Sequence, residues 1–270
     1  MEIFAWRGAA GRRSLGVMKK ALILLGHADP ASFNRTVATA YQEGFRAAGG
    51  EAALVTLSDL QFDPVLRHGF RGDQALEPDL LELRARIEAA DHLVWVFPTY
   101  WVSPPAIVRA LVDRLFLPGW AFAYEPGKAL PDGLLAGRSA RVLTTMDSPS
   151  WWYALWHYRA IHGAFVNGTL RFVGLAPVKL SAFYATRTRT AAQRERWLAE
   201  VQATAAADHA RCPDASRRPP GRPEGRAGAL NPALSSIDAD ADGHGVGHDI
   251  PAVGVDAVDD DQEQVVLARG

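Results

Sequence analysis

Cysteine is nearly absent from this chain: Cys212 is the single one in 270 residues. One thiol forms no internal disulfide and anchors no cysteine-based metal cluster. Long apolar runs are missing too, since none approaches the roughly 20 residues that cross a bilayer. So is an excess of charge. With 29 Lys and Arg against 30 Asp and Glu, there is little field to draw in nucleic acid or an anionic membrane surface. A glycine-rich phosphate loop is also missing. After the first apolar run comes "GHADPASFN", residues 26–34, with one glycine. These absences point to a cytoplasmic protein with no metal site, no nucleic-acid partner and no membrane insertion.

Apolar side chains are plentiful. Hydrophobic residues make up 48 % of the chain, with eight Trp, enough for a sizeable core. The N-terminal "MEIFAWRGAAGRRSLGV" is not a signal peptide, because its basic residues follow the short apolar part and no apolar region comes after them. Residues 1–17 read as a disordered extension or a misplaced start, with Met18 opening "MKKALILLGH". Apolar runs of strand length occupy 21–25, 51–57, 92–97, 139–145 and 177–184. Helical spacing occupies 33–48, 79–90, 104–116, 152–172 and 190–207. The prolines at 104 and 105 are expected in the first turn of their helix, where a missing N–H is harmless.

Strands and helices alternate, and three of the strands are continuously apolar, as strands covered on both faces must be. The expected fold is α/β: a flavodoxin-like, doubly wound five-stranded parallel sheet of order 2-1-3-4-5. That topology puts a ligand at the carboxyl ends of strands 1 and 3. The domain is expected over 18–211. Residues 212–270 read as a disordered acidic tail, too poor in apolar residues to offset their ordering entropy. From Pro213 the tail holds 11 acidic and 5 basic residues, leaving the folded part slightly basic. "DADADG", 238–243, imitates the start of a calcium loop, but Asp249 stands where a bidentate Glu is required.

The first loop joins strand 1 to helix 1 at the expected switch point. Unpaired N–H groups at a helix N-terminus favour an anion. Ser32, Asn34 and the amides around Phe33 suit one phosphate, and His27 suits a second anionic group. The plainer alternative is that Ser32 caps the helix and His27 is a loop residue. Strand 3 ends in "VFPTYWVSPPAIVRALVDRLF", residues 96–116. Pro98 and Pro104 stiffen a turn that carries Tyr100 and Trp101. Such a turn can lie along a planar ring, although two aromatics can also simply fill core.

"GHADPASFN" together with "PTYWVSPPAIVRALVDRLFLPGWAFAYE" resembles the flavodoxin-like NAD(P)H:quinone oxidoreductases, the DT-diaphorase family, which includes bacterial potassium-efflux ancillary flavoproteins. The resemblance covers roughly 18–207. It implies that His27, Ser32, Phe33 and Asn34 meet the flavin phosphates and ribityl chain. It implies that Pro98, Thr99, Tyr100, Trp101 and Val102 run along the flavin ring. Thr144, Thr145, Met146 and Asp147 match a third flavin loop, with Met146 and Asp147 departing from the glycines of the mammalian pattern. Phe122 and Tyr124 match aromatic walls of the substrate pocket. The family's relay of one Tyr and one His is sought in "SPSWWYALWHYRAIHG", 148–163. Tyr153, His157, Tyr158 and His162 are all available. The "IHG" ending selects His162, whereas spacing from the Thr pair selects Tyr158; the assignment adopted is Tyr153 with His162.

The function implied is a flavin-dependent NAD(P)H oxidoreductase. It reduces quinones or similar aromatic acceptors by ping-pong hydride transfer, with FAD slightly favoured over FMN. The alternatives are a flavodoxin-type electron carrier and an ancillary subunit of a transporter. The family also builds its pocket from two chains. With Tyr100, Trp101, Trp120, Phe122, Tyr124, Trp151, Trp152 and Trp156 expected at one end of the sheet, this implies a homodimer.

Overall fold

The computed structural model describes residues 18–213 apart from 71 and 73. The extension over 1–17, the tail beyond Pro213 and the calcium-like segment lie outside the described residues. The strands in chain order are β1 (Lys20–Leu25), β2 (Glu51–Thr56), β3 (His92–Pro98), the short β4 (Phe122–Ala123) and β5 (Asp132–Gly133), β6 (Ser139–Thr145) and β7 (Val178–Phe183). The helices are α1 (Phe33–Ala47), α2 (Pro78–Ala89), α3 (Ala106–Leu115), α4 (Ser150–Leu155), a π-helix (His162–Arg171) and α5 (Ala191–Arg211).

Five parallel strands form one sheet of order β2-β1-β3-β6-β7. This is the flavodoxin-like order expected from the alternating pattern. β3 and β6 are buried at every position, which is why "HLVWVF" carries no alternation. One face is covered by α1 and α5 through Val37, Tyr41, Phe45, Trp197 and Val201. The other is covered by α2, α3 and the π-helix through Leu83, Ile87, Val108, Leu111 and Phe165. Each fully buried Phe or Leu contributes about 1.5–3 kcal/mol relative to exposure. α1 and α5 touch backbone to backbone at Gly44, where an added Cβ would lie 2.5 Å from Gln202 O.

Some expectations are corrected, and one element was missed. Residues 152–172 are not one helix: α4 ends at Leu155 and the π-helix begins at His162, with a looped turn between them. Pro105 is the N-cap of α3 rather than part of its first turn, because the chain must still be extended to leave the turn before it. The hairpin of β4 and β5, antiparallel at Phe122–Gly133, was not legible in two-residue strands. α5 also runs on to Arg211. Its capping box (Thr190 with Gln193) is a start signal of the expected kind.

At the N-terminal ends of the strands a buried polar network ties α1 and α5 to the sheet. Tyr41 Oη donates to Asp208 Oδ2 (2.8 Å) and lies 2.9 Å from His92 Nε2. Arg141 grips Asp208 with two bonds of 2.7 Å and donates to Ser181 Oγ. His92 Nδ1 pairs with Ser139 Oγ at 2.8 Å. Burial, reinforced by Arg141, lowers the His92 pKa to about 4. Burial opposes ionisation of Asp208, but the Arg141 bonds prevail and hold its carboxyl below the usual range. Cys212 is buried beside Ser139, and burial pushes its thiol up to about 11.

Candidate active site

The opposite, C-terminal edge gathers three loops. α1 begins there with Ser32 as N-cap, its Oγ accepting from Arg35 N–H at 3.2 Å. No acidic residue occupies the first turn, and the Asp29 carboxylate just ahead of it is engaged by Ala31 N–H at 2.8 Å. The amides of Phe33 and Asn34 have no acceptor among the described residues. Asn34 is buried and clasps Thr145, its Nδ2 donating to Oγ1 at 3.0 Å. The end of β6 is thereby fastened to the start of α1.

The loop after β3 is a hairpin closed by Tyr100 N–H to Ser103 O and Ser103 N–H to Tyr100 O, both 2.9 Å. Its two central residues, Trp101 (φ 51°) and Val102 (φ 60°), are left-handed without being glycine. This is the pattern of a type I′ turn, and each such residue costs about 1–2 kcal/mol. Trp101 is 98 % exposed, and the Trp101 and Val102 amides find no acceptor among the described residues. Thr99 is pinned to the next strand by Thr99 N–H to Thr145 O (2.7 Å) and by its Oγ1 against Thr144 Oγ1 (2.8 Å). His27 faces this turn. Its Nδ1 accepts Asp29 N–H at 3.1 Å, so in the neutral ring Nε2 carries the hydrogen and donates to Tyr100 Oη at 3.4 Å.

The third loop is engaged differently. Met146 is buried and its N–H donates to Phe183 O at 2.9 Å. Asp147 Oδ1 accepts Arg187 N–H at 2.9 Å. Met146 therefore binds the end of β7 and Asp147 the turn that follows it, and the Met146 amide is not offered to a ligand.

Beyond β6 the chain brings Tyr153 and His162 together, with Oη 3.3 Å from Nδ1. Tyr153 is buried and its Oη also accepts Ile161 N–H at 3.1 Å. Burial raises the phenol pKa, and the Ile161 N–H only partly counters this. Tyr158 is 86 % exposed and stands apart from this pair, as does His157, which bonds Trp152. Tyr158, the position reached by counting from the Thr pair, stands on a turn that loops outward.

Phe122 and Tyr124 meet edge to face at 5.7 Å. Phe172 and Phe70 join Phe122 at 5.1 Å and 6.5 Å. Neither was singled out from the sequence. Phe172 shares the helical pattern of the core, and Phe70 stands in a loop with no periodicity. Trp120 is not part of the aromatic edge: it packs on α2, under Arg84 at 5.2 Å and bonded to Glu88.

A family model described as flavodoxin-like fold matches residues 19–206. The chain belongs to this flavodoxin-like family. Among curated proteins it is 28% identical over 188 residues to NAD(P)H dehydrogenase (quinone) 1 of Cavia porcellus, covering 59% of this chain and 66% of that one. It is 28% identical to ribosyldihydronicotinamide dehydrogenase (quinone) of Mus musculus, covering 59% and 80%. A solved structure from Streptococcus mutans superposes with a TM-score of 0.59 at 26% identity, covering 70% of this chain and 99% of that one. The chain thus spans just under two thirds of the first of these relatives. No helix among the described residues is long and apolar enough to cross a membrane.

Proposed function

We propose that the protein is a flavin-dependent NAD(P)H oxidoreductase that reduces quinones or similar flat aromatic acceptors. The observation that carries this reading is the meeting of three loops at the ends of β1, β3 and β6 in a flavodoxin-like chain. The residues present fit a flavin. The unpaired Trp101 and Val102 amides suit the polar edge of a planar ring, and the unpaired Phe33 and Asn34 amides suit a phosphate. When bound, a flavin supplies two-electron transfer from NAD(P)H to the acceptor, the two substrates visiting in turn.

The chain's own work is positioning and charge. With a flavin bound, Tyr153 Oη would offer its proton to the ring's polar edge, and His162 Nδ1, 3.3 Å away, would return one to that oxygen. By the resemblance, Phe122 and Tyr124, with Phe172 packed on Phe122, are assigned to a wall of the acceptor space. His27 and the lack of a compact glycine-rich cradle favour FAD slightly over FMN. Mass spectrometry of the heat-released cofactor decides between them. Added flavin is expected to bind and to support NAD(P)H oxidation with a soluble quinone. No binding at saturating FMN and FAD overturns the reading.

We also propose a homodimer in which each site is completed by the second copy. Trp101, Trp151, Leu155, Trp156 and Tyr158 are all more than half exposed near the site edge. Large apolar side chains left open in this number favour a partner surface, and aromatic anchors suit interface centres. Trp151→Glu is expected to halve the mass seen by light scattering and to lower turnover with it. A wild-type monomer that turns over quinone at micromolar concentration overturns the shared site.

A further inference from the structure

The looped turn between α4 and the π-helix has its own internal fastening. Trp152 Nε1–H donates to His157 Nε2 at 3.1 Å. The Trp152 and Trp156 rings stack at 5.1 Å with planes 16° apart, and Trp156 N–H reaches Trp152 O at 2.9 Å. The turn then passes through two left-handed residues, Tyr158 (φ 46°) and Arg159 (φ 49°). Neither is glycine, so this conformation persists only where surrounding contacts hold it.

What the turn delivers is the Tyr153 environment. Arg159 N–H donates to Tyr153 O at 3.2 Å and Ala160 N–H to His157 O at 2.9 Å. His162 N–H closes on Arg159 O at 2.8 Å. Ile161 N–H then meets Tyr153 Oη at 3.1 Å, and His162 Nδ1 lies 3.3 Å from the same oxygen. The distance between the phenol and the imidazole is therefore set by how tightly residues 156–160 are folded. The indole–imidazole bond is a side-chain hydrogen bond that ties this turn back onto α4.

We infer that Trp152 and His157 form a clamp that positions the Tyr153–His162 pair. They are positioning residues, since neither touches the Tyr153 oxygen. The inference rests on the roles proposed above for Tyr153 and His162. The clamp requires an acceptor at residue 157 and an indole N–H at residue 152. Stacking of Trp152 on Trp156 adds shape but not direction. Losing the bond frees the two left-handed residues to relax, and a misplacement of about 1 Å at a reacting pair can cost on the order of a hundredfold in rate.

The test uses the full-length protein carrying His157→Phe, His157→Gln, Trp152→Phe or Trp152→Phe with His157→Phe. Histidine-ring ¹⁵N spectra without added flavin report the His162 Nδ1 environment, assigned by the loss of its signals in His162→Asn. His157→Phe and Trp152→Phe are each expected to shift that signal, and the double variant to add nothing further. His157→Gln, whose side-chain oxygen still accepts the indole N–H, is expected to restore it. With flavin and NADPH, the reduction rate is expected to fall about tenfold or more in the two Phe variants. Flavin content and NADPH KM should stay close to wild type, and His157→Gln should recover the rate. An unchanged His162 signal in His157→Phe, or an equal shift in His157→Phe and His157→Gln, overturns the clamp. A wild type that does not oxidise NADPH overturns the functional reading instead, and the ¹⁵N comparison still decides the clamp.

Discussion

At the N-terminal ends of the strands, His92, Arg141, Asp208 and Tyr41 are buried and bonded to one another. At the C-terminal ends, Trp101 and Tyr158 stand in solvent on left-handed backbone, and amides at two loops lack acceptors among the described residues. The same sheet thus has a sealed end and an open one. Buried polar groups are tolerated where all are paired. Strain and unpaired donors are tolerated where a ligand or a partner can use them. Stability and binding are therefore separated along the strand axis, and substitutions at the two ends should have opposite signatures.

The largest effect is expected from Arg141→Ala. It leaves Asp208 buried without its counter-charge, at a cost of about 3–5 kcal/mol. For a domain of this size that is a fall in melting temperature of roughly 10 °C. A fall of a degree or two in thermal unfolding would show that the sealed end contributes little.

Acid probes the same end more gently. The folded His92 pKa of about 4 lies below the ordinary 6.5, so between these values the unfolded chain holds the extra proton. Stability from the neutral ring is present in full above 6.5 and is lost as pH falls toward 4, by roughly 3 kcal/mol. Asp208, held low, adds a further loss only below its ordinary carboxylate range. Urea midpoints at pH 7 and pH 4.5 measure the slope, and His92→Gln should flatten it.

Tyr153→Phe carries the test to the open end. Flavin reduction is expected to slow about a hundredfold, within the usual range for a proton donor. Melting should fall by only a few degrees, about what the buried Ile161 N–H loses with its acceptor. A large loss of stability with an unchanged rate would make Tyr153 a core residue. The smallest effect belongs to Tyr158→Gly. Removing a side chain that is 86 % exposed on left-handed backbone should raise stability by up to about 1 kcal/mol. Urea unfolding reads it, and a decrease would show that the turn is not strained.

The sealed end and the sheet order were legible because burial leaves a periodic mark. "HLVWVF" and "ALILL" read as covered strands, and β-α alternation then leaves few topologies. The network inside was not legible. His92, Arg141 and Asp208 sit in three separate elements, and no spacing along the chain brings them together. At the open end lies "GHADPASFN", residues 26–34. Its Ser32 cap and His27 were readable as residue types, but the His27–Tyr100 and Asn34–Thr145 bonds depend on the strand order. The segment 148–163 was hardest. Two consecutive left-handed residues other than glycine have no sequence signature, so counting could not tell Tyr158 from His162.

The backbone contact at Gly44 reaches further than packing. With no side chain between them, α1 and α5 cannot slide or separate without losing the contact along its length. Their amides should exchange with deuterium as one cooperative block, later than those of α2. The block has its two ends at opposite poles of the molecule, Ser32 at the candidate site and Asp208 in the sealed network. A ligand that slows exchange at the start of α1 should therefore slow it at the end of α5 as well.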